Sequence, residues 1–165
     1  MTSAEPATFF DQHQRATVEA AMARIIPTDD MPGAREAGAV DFVDRYLSGI
    51  GYIYALPDGS GFEQLTGRRA DAWQQRIELA RSKYVAGIAE LDRLCHERHG
   101  YDFVELDDQR QDEMLRAIER SGSEAAERAW RDTPAIAYGG PVEPALQQTN
   151  AEADLDFFNL LVTHT

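Results

Sequence analysis

The chain has 165 residues, of which 43% are hydrophobic, so it can build one core; we expect a single domain over residues 1–165, with residues 1–8 flexible. Its formal net charge of -13 repels phosphate backbones and anionic lipids, which disfavours nucleic acid and membrane surfaces as partners and suits a cationic protein surface. The single cysteine excludes an internal disulfide, and no run approaches the roughly 18 apolar residues of a membrane-spanning helix.

Two amphipathic segments in the first third of the chain predict helices. The first covers Asp11–Ile25 and ends before Pro27, because the residue that precedes a proline avoids the helical region. A rigid turn follows, and a second helix is predicted over Ala34–Tyr54. The apolar positions of this second helix recur at spacings of a helical face: Val40, Val43, Leu47 and Ile50.

The longest periodic pattern predicts a helix over Arg69–Glu97, after a loop over Leu56–Thr66. Its opposite side is polar, which is typical of an amphipathic helix with one buried stripe. Gly100 is a plausible end signal because glycine readily adopts the left-handed conformation of a helix C-terminus. The stripe consists of Trp73, Ile77, Ala80, Tyr84, Ile88, Leu91 and Cys95.

Two shorter helices are predicted next. Asp107 or Asp108 caps a helix over Asp108–Arg120, since a carboxylate at this position accepts hydrogen bonds from free backbone N–H groups. The Ser-Gly-Ser sequence at 121–123 is expected to end that helix. Ser123 is then expected to cap a short helix that runs through Trp130.

The last predicted helix covers Ala151–Val162, after a loop over Thr133–Pro144. A helix that is apolar on all sides lies either in the centre of a core or under another protein, and we favour the second interpretation here. The elements together predict an all-α fold, an irregular bundle of five or six helices. The apolar residues of the last helix are Leu155, Phe157, Phe158, Leu160, Leu161 and Val162.

Motifs that carry chemistry are not recognisable in this sequence. It has no glycine-rich nucleotide or phosphate cradle and no nucleophile motif, so we predict no catalytic or cofactor-binding residue on this chain. His96 and His99 are three residues apart on one predicted helix, but a metal site needs a third and usually a fourth ligand. We therefore predict no metal site. A small metal-dependent enzyme that uses His96 and His99, or a generic helical interaction domain, remains an alternative.

Both ends of the chain resemble the gluconate 2-dehydrogenase subunit 3 family. Residues 25–34 read IIPTDDMPGA, continue with EAGAVDFVD at 36–44, and are similar to a hallmark stretch that follows a short first helix in that family. Residues 157–165 read FFNLLVTHT and are similar to the family's FFxLLxxHT segment. The middle of the chain is compatible with the family in length.

This resemblance implies a small non-catalytic subunit of a dehydrogenase that acts on sugars, sugar acids or glycosides. In such complexes FAD is bound by a large GMC-type dehydrogenase subunit, and a cytochrome c subunit with haem c often completes the assembly. The small subunit is thought to assist folding, flavin incorporation or export of the large one. Many family members carry a twin-arginine export signal. The chain's beginning, MTSAEPATFFDQHQ, shows no such signal, so we expect a cytoplasmic protein, or a periplasmic one if it is exported with its partner or if a signal has been removed.

The partner interface is predicted at the turn after the first helix and on the last helix. In a chain without its own chemistry, both segments are available for contact with another subunit. The predicted interface residues are Ile26, Pro27, Asp29, Asp30, Pro32, Phe157, Phe158, Leu161 and His164.

Overall fold

The computed structural model describes residues 8–53, 56–132 and 155–165, and for residues 126–132 it describes the backbone only. The flexibility predicted for residues 1–8 falls almost entirely outside these ranges. Within them the all-α prediction is confirmed, with six α-helices and no β-strand. The helices are α1 (Gln12–Ile25), α2 (Ala34–Ala37), α3 (Ala39–Ser48), α4 (Gly67–His99), α5 (Asp108–Asp132) and α6 (Phe157–His164).

Helix α4 is the longest element, and it forms one wall of a single hydrophobic core. All seven residues of its predicted apolar stripe, from Trp73 to Cys95, are buried. The helix ends at Gly100 in the left-handed conformation (φ 75°), as predicted. Helices α1, α3, α5 and α6 all contribute side chains to the same core. Within the described ranges, no helix is both long enough and apolar enough to cross a membrane.

The helix predicted over Ala34–Tyr54 is interrupted twice by glycine. Gly38 lies between α2 and α3 with φ 71°, and Gly49 follows α3 with φ 154°, conformations that other residues rarely adopt. A 3-10 turn over Ile50–Tyr52 replaces the predicted last turns. The apolar face still packs as predicted, with Val40, Val43 and Leu47 buried.

The N-terminal end of the described chain is fastened by Asp44 of α3. One carboxylate oxygen, Oδ1, accepts hydrogen bonds from the backbone N–H groups of Phe9 (2.8 Å) and Phe10 (2.9 Å). Asp44 is buried, so these bonds compensate for the removal of its charge from water. They fix the position of the segment that leads into α1.

Helix α5 corrects the predicted break at residues 121–123. Asp107 caps its start, with Oδ1 accepting from Arg110 N at 2.9 Å, but the helix then runs without interruption to Asp132. The Ser121 hydroxyl donates to Ile118 O at 2.9 Å, so this serine bonds within the helix. The separate short helix predicted through Trp130 is therefore wrong. The loop predicted over Thr133–Pro144 lies outside the described residues.

Helix α6 begins at Phe157, later than the predicted start at Ala151, because Asp156 provides its N-cap. Asp156 Oδ1 accepts from Asn159 N at 2.9 Å. Residues 151–154 of the predicted helix lie outside the described ranges. Two glycines on neighbouring helices receive this end of α6. A Cβ atom on Gly87 of α4 would lie 2.0 Å from Phe157 Cγ, and one on Gly122 of α5 would lie 2.2 Å from Asp156 Oδ2.

Candidate functional site

The connection between α1 and α2, residues 26–33, is here called the 26–33 loop. It leaves the end of α1, which an arginine holds against α5. Arg24 Nη1 lies 2.6 Å from Asp108 Oδ2, and its Nε donates to Asp112 Oδ1 at 2.8 Å. The arginine lowers the pKa of the Asp112 carboxyl group. The loop therefore starts from a fixed helix end.

Backbone hydrogen bonds close the loop on itself. Ala34 N donates to Ile26 O at 2.9 Å, which brings the two ends of the loop together. Within the loop, Asp29 Oδ1 accepts from Met31 N at 2.8 Å, and Asp29 N donates to Met31 O at 3.2 Å. An aspartate side chain that accepts a hydrogen bond from the backbone N–H two residues further on forms an Asx turn. These bonds define one backbone path through the loop.

Glu36 on α2 supplies a second set of anchors. Its Oε2 atom accepts from the Thr28 hydroxyl at 2.6 Å and from Gly33 N at 3.1 Å. The bond from Thr28 is the largest cause of the lowered pKa of Glu36, because hydrogen bonding stabilises the carboxylate form. The loop is thus tied to α2 by a charged acceptor.

Gly33 fits where no side chain can. A Cβ atom at this position would lie 2.7 Å from both Ile26 O and Thr28 N, closer than real Cβ atoms approach backbone atoms. The requirement comes from close backbone contact, since φ is -85° and suits any residue. Gly33 therefore allows the two ends of the loop to touch.

Although its backbone is fixed, the loop exposes its side chains. Met31 is 70% exposed, the highest value among the large hydrophobic residues that the structure describes, and Ile26 is 44% exposed. The five loop residues that we predicted at an interface, from Ile26 to Pro32, are all exposed. No ion pair joins the Asp29 or Asp30 carboxylate to a cation within the described residues. The result is a rigid turn with apolar and acidic groups facing solvent.

The C-terminal residues predicted at the interface lie elsewhere in the structure. Phe157 and Leu161 are buried in the chain's own core, and Phe158 packs against that core while half-buried. Burial in the core accounts for the apolar character of α6, which is the interpretation that we did not favour from the sequence. We therefore do not carry Phe157 and Leu161 into the proposed interface.

His164 packs between two tyrosines at the end of α6. Its Nδ1 atom lies 3.0 Å from the Tyr84 hydroxyl oxygen, and its ring stacks on the Tyr84 ring at 5.9 Å with an interplanar angle of 4°. The Tyr46 ring meets it edge-on at 5.3 Å. His164 thus joins α6 to α3 and α4, and this packing within the chain accounts for the residue without any contact to another subunit.

Of the two histidines that could ligate a metal, His96 contacts other groups of the chain, and the buried Nε2 atom of His99 has no hydrogen-bond partner among the described residues. His96 Nδ1 lies 3.0 Å from Asp92 O, and its Nε2 lies 3.3 Å from Asp102 Oδ1. Burial raises the pKa of the neighbouring Cys95 thiol to about 11, which favours the protonated form that binds metals poorly. Among the described residues no group of three or more His, Cys, Asp or Glu side chains could hold a metal ion. Within the described ranges, the structure therefore brings no third ligand to His96 and His99.

The two most exposed of the large hydrophobic residues that the structure describes, Met31 and Phe42, were not among the interface residues predicted from the sequence. Met31 belongs to the loop that we predicted at the interface, but it was not among the residues named. Phe42, which is 59% exposed, lies on α3 and stacks on Tyr46 with ring centroids 6.3 Å apart. The signal for Phe42 was present in the sequence, because it does not fall on the face formed by Val40, Val43 and Leu47.

Comparisons with known proteins give one match. The family model described as gluconate 2-dehydrogenase subunit 3 matches residues 12–165, nearly the whole chain. No curated protein and no solved structure matches the chain. The match includes both segments on which the sequence resemblance depends, the 26–33 loop and α6.

Proposed function

Because the chain belongs to the gluconate 2-dehydrogenase subunit 3 family, we propose that it is the accessory subunit of an FAD-dependent dehydrogenase. The substrate of that complex is a sugar, a sugar acid or a glycoside. Catalysis takes place on a large GMC-type flavoprotein subunit, which carries the FAD. In assemblies with a cytochrome c subunit, that third subunit carries haem c. The observation on which the proposal rests is the family match over residues 12–165.

In this proposal the chain acts by binding. A protein that binds only the folded form of the flavoprotein raises that form's free energy of unfolding by mass action, by about 2.7 kcal/mol at a concentration of 100 times Kd. The same preference favours the state that retains FAD, and so assists maturation. A rigid exposed loop supports a binding role, because its backbone is already ordered before the partner arrives.

The alternative role as a small metal-dependent enzyme has less support. A catalytic metal needs about three protein ligands, and the part of the chain that the structure describes offers no such group around His96 and His99. We therefore prefer the accessory role.

Co-expression tests the proposal directly. The flavoprotein that co-purifies with a tagged copy of this chain from its native host is identified by its FAD absorbance and by mass spectrometry. It is then expressed with and without this chain. We expect lower soluble yield, a lower ratio of FAD to protein and a lower melting temperature when it is expressed alone. Equal yield, flavin content and dehydrogenase activity in both preparations would refute an accessory role.

A further inference from the structure

The 26–33 loop combines an ordered backbone with the most exposed large hydrophobic side chain among the described residues. Hydrogen bonds from Ala34, Met31 and Thr28 fix its backbone, and Gly33 permits the close contact of its ends. Yet its most prominent side chain, Met31, is 70% exposed. An ordered backbone lowers the entropy that binding costs, so an exposed apolar side chain carried on such a turn is well suited to contact with another molecule.

The acidic side chains beside Met31 indicate what kind of surface the binding partner would present. Asp30 makes no hydrogen bond or ion pair in the described part of the chain, and Asp29 Oδ1 accepts only from the backbone of Met31. The arginine before the loop, Arg24, is already paired with Asp108 and Asp112. The whole chain carries a net charge of -13, so a second copy would be repelled.

From these observations we propose that the 26–33 loop is the docking element for the large flavoprotein subunit. The loop inserts Met31 into an apolar pocket on that subunit, and Lys or Arg side chains at the rim of the pocket pair with Asp29 and Asp30. Ile26 covers the edge of the same contact. This inference rests on the proposed function, since it assigns the surface through which the two subunits bind.

The apolar part and the charged part of such a contact affect binding kinetics in different ways. The buried apolar anchor contributes mainly to the lifetime of the complex, whereas charges at the rim mainly change the association rate and its dependence on salt. Surface charges are screened over about 8 Å at physiological ionic strength, so added salt weakens the rim contacts more than the apolar one. The two parts of the loop can therefore be tested separately.

The test uses the full-length chain and the purified flavoprotein identified by co-purification, with binding measured by surface plasmon resonance. Met31→Gln is expected to raise Kd by about tenfold or more, mainly through faster dissociation. Asp30→Lys is expected to raise Kd by about tenfold, mainly through slower association, and to reduce the salt dependence. Leu79→Gln and Asp71→Lys are matched controls on the exposed side of α4, and they are expected to leave Kd unchanged.

Each outcome decides between the inference and its premise. If the wild-type chain binds the flavoprotein and both loop variants bind as tightly, the docking assignment is wrong while the accessory function stands. If the wild-type chain does not bind the flavoprotein at all, the proposed function fails and the docking inference fails with it. A dimer of this chain that Met31→Gln dissociates in analytical ultracentrifugation would assign the loop to a second copy and overturn the proposal. Circular dichroism of each variant establishes that the fold is retained.

Discussion

The 26–33 loop is held by hydrogen bonds and leaves its side chains in solvent, whereas α6 is held by the side chains that it buries. Both segments belong to the sequence patterns that resemble the family, and both were predicted to contact a partner. The structure gives them opposite environments: Met31 is exposed, while Leu160 and Leu161 are completely buried. The comparison teaches that apolar composition alone does not identify an interface, because a short helix that packs against other helices can place its large apolar side chains in the core.

The largest effect is expected from removing the aromatic ring that α6 places in the core. Phe157→Ala is expected to lower the free energy of unfolding by about 3–5 kcal/mol, the usual cost of deleting a buried phenylalanine. Val162→Ala, on the exposed side of the same helix, is expected to change it by less than about 0.5 kcal/mol. Urea denaturation of both variants makes the measurement. Equal effects at the two positions would show that α6 is not seated as described.

Substitution of Gly87 tests the close contact between α4 and the Phe157 side chain. Gly87→Ala removes a poor helix former, but its Cβ would collide with Phe157, so we expect a loss of about 1–3 kcal/mol from overpacking. In the Phe157→Ala background the contacts with the ring atoms are absent, but the contact with Cβ of residue 157, at 2.5 Å, remains, so the same change is expected to cost about 1 kcal/mol less than it does beside the phenylalanine. A double-mutant cycle by urea denaturation measures this coupling. Additive effects would place Phe157 away from Gly87.

Gly33 is the corresponding position in the loop. Gly33→Ala forces a Cβ against Ile26 O and Thr28 N, and we expect a loss of about 1–2 kcal/mol in thermal or urea unfolding. The loop is expected to change its path, so the variant is also expected to bind the flavoprotein more weakly. Gly51→Ala, at another exposed glycine where a Cβ meets no atom within 4 Å and φ is not in the left-handed region, is the control for the glycine-to-alanine change without a collision. Retained flavoprotein affinity in Gly33→Ala would separate loop geometry from binding.

Met31 offers a probe of exposure without substitution. Mild hydrogen peroxide is expected to convert Met31 to its sulfoxide while Met22 and Met114, which are buried, remain reduced. Peptide mass spectrometry over a time course distinguishes the three sites. The free energy of unfolding of the oxidised protein is expected to lie within about 0.5 kcal/mol of that of the reduced protein, since Met31 contributes little to the core. Oxidation of Met22 or Met114 at the same rate as Met31 would contradict the burial of the first two residues and the exposure of the third.

The smallest effect concerns the titratable anchor of the loop. Hydrogen bonds from Thr28 and Gly33 lower the pKa of Glu36, so these bonds contribute fully above its ordinary pKa of 4.5 and are lost as the pH falls through the lowered value. We expect the Gly33 amide resonance to shift in this acidic range in an NMR titration, and Glu36→Gln to abolish that shift. The side-chain methyl resonances of Leu160 and Leu161, which are fully buried in the core, are expected to stay in place until the protein unfolds. A Gly33 resonance that titrates equally in Glu36→Gln would assign the effect to another group.

Sequence periodicity predicted the parts of the fold that depend on one helix at a time. The stripe of α4 is buried as expected because seven positions at helical spacing leave little choice of face. Sequence patterns failed to predict the structure where a segment far away along the chain determines whether a helix continues. The Ser-Gly-Ser sequence reads as a helix break, but Ser121 bonds within α5 and Gly122 gives room to Asp156, which lies 34 residues later along the chain.

The candidate site shows the same limit. Proline, aspartate and glycine in residues 26–33 predict a rigid turn, and the exposure of Pro27 and Asp30 follows from that chemistry. The burial of α6 in the chain's own core could not be predicted from the sequence, because its composition is compatible with a core helix and with a surface helix that another protein covers. Only the grooves formed by α4 and α5, including the space over Gly87, decide between them.

Hydrogen exchange measured by mass spectrometry, on this chain alone and in complex with the co-purified flavoprotein, tests the central claim most directly. The account predicts that the peptide spanning the 26–33 loop becomes more protected in the complex, while the peptide spanning α6 exchanges slowly and equally in both states. Protection confined to α6 or to the exposed side of α4, with the loop unchanged, would contradict it.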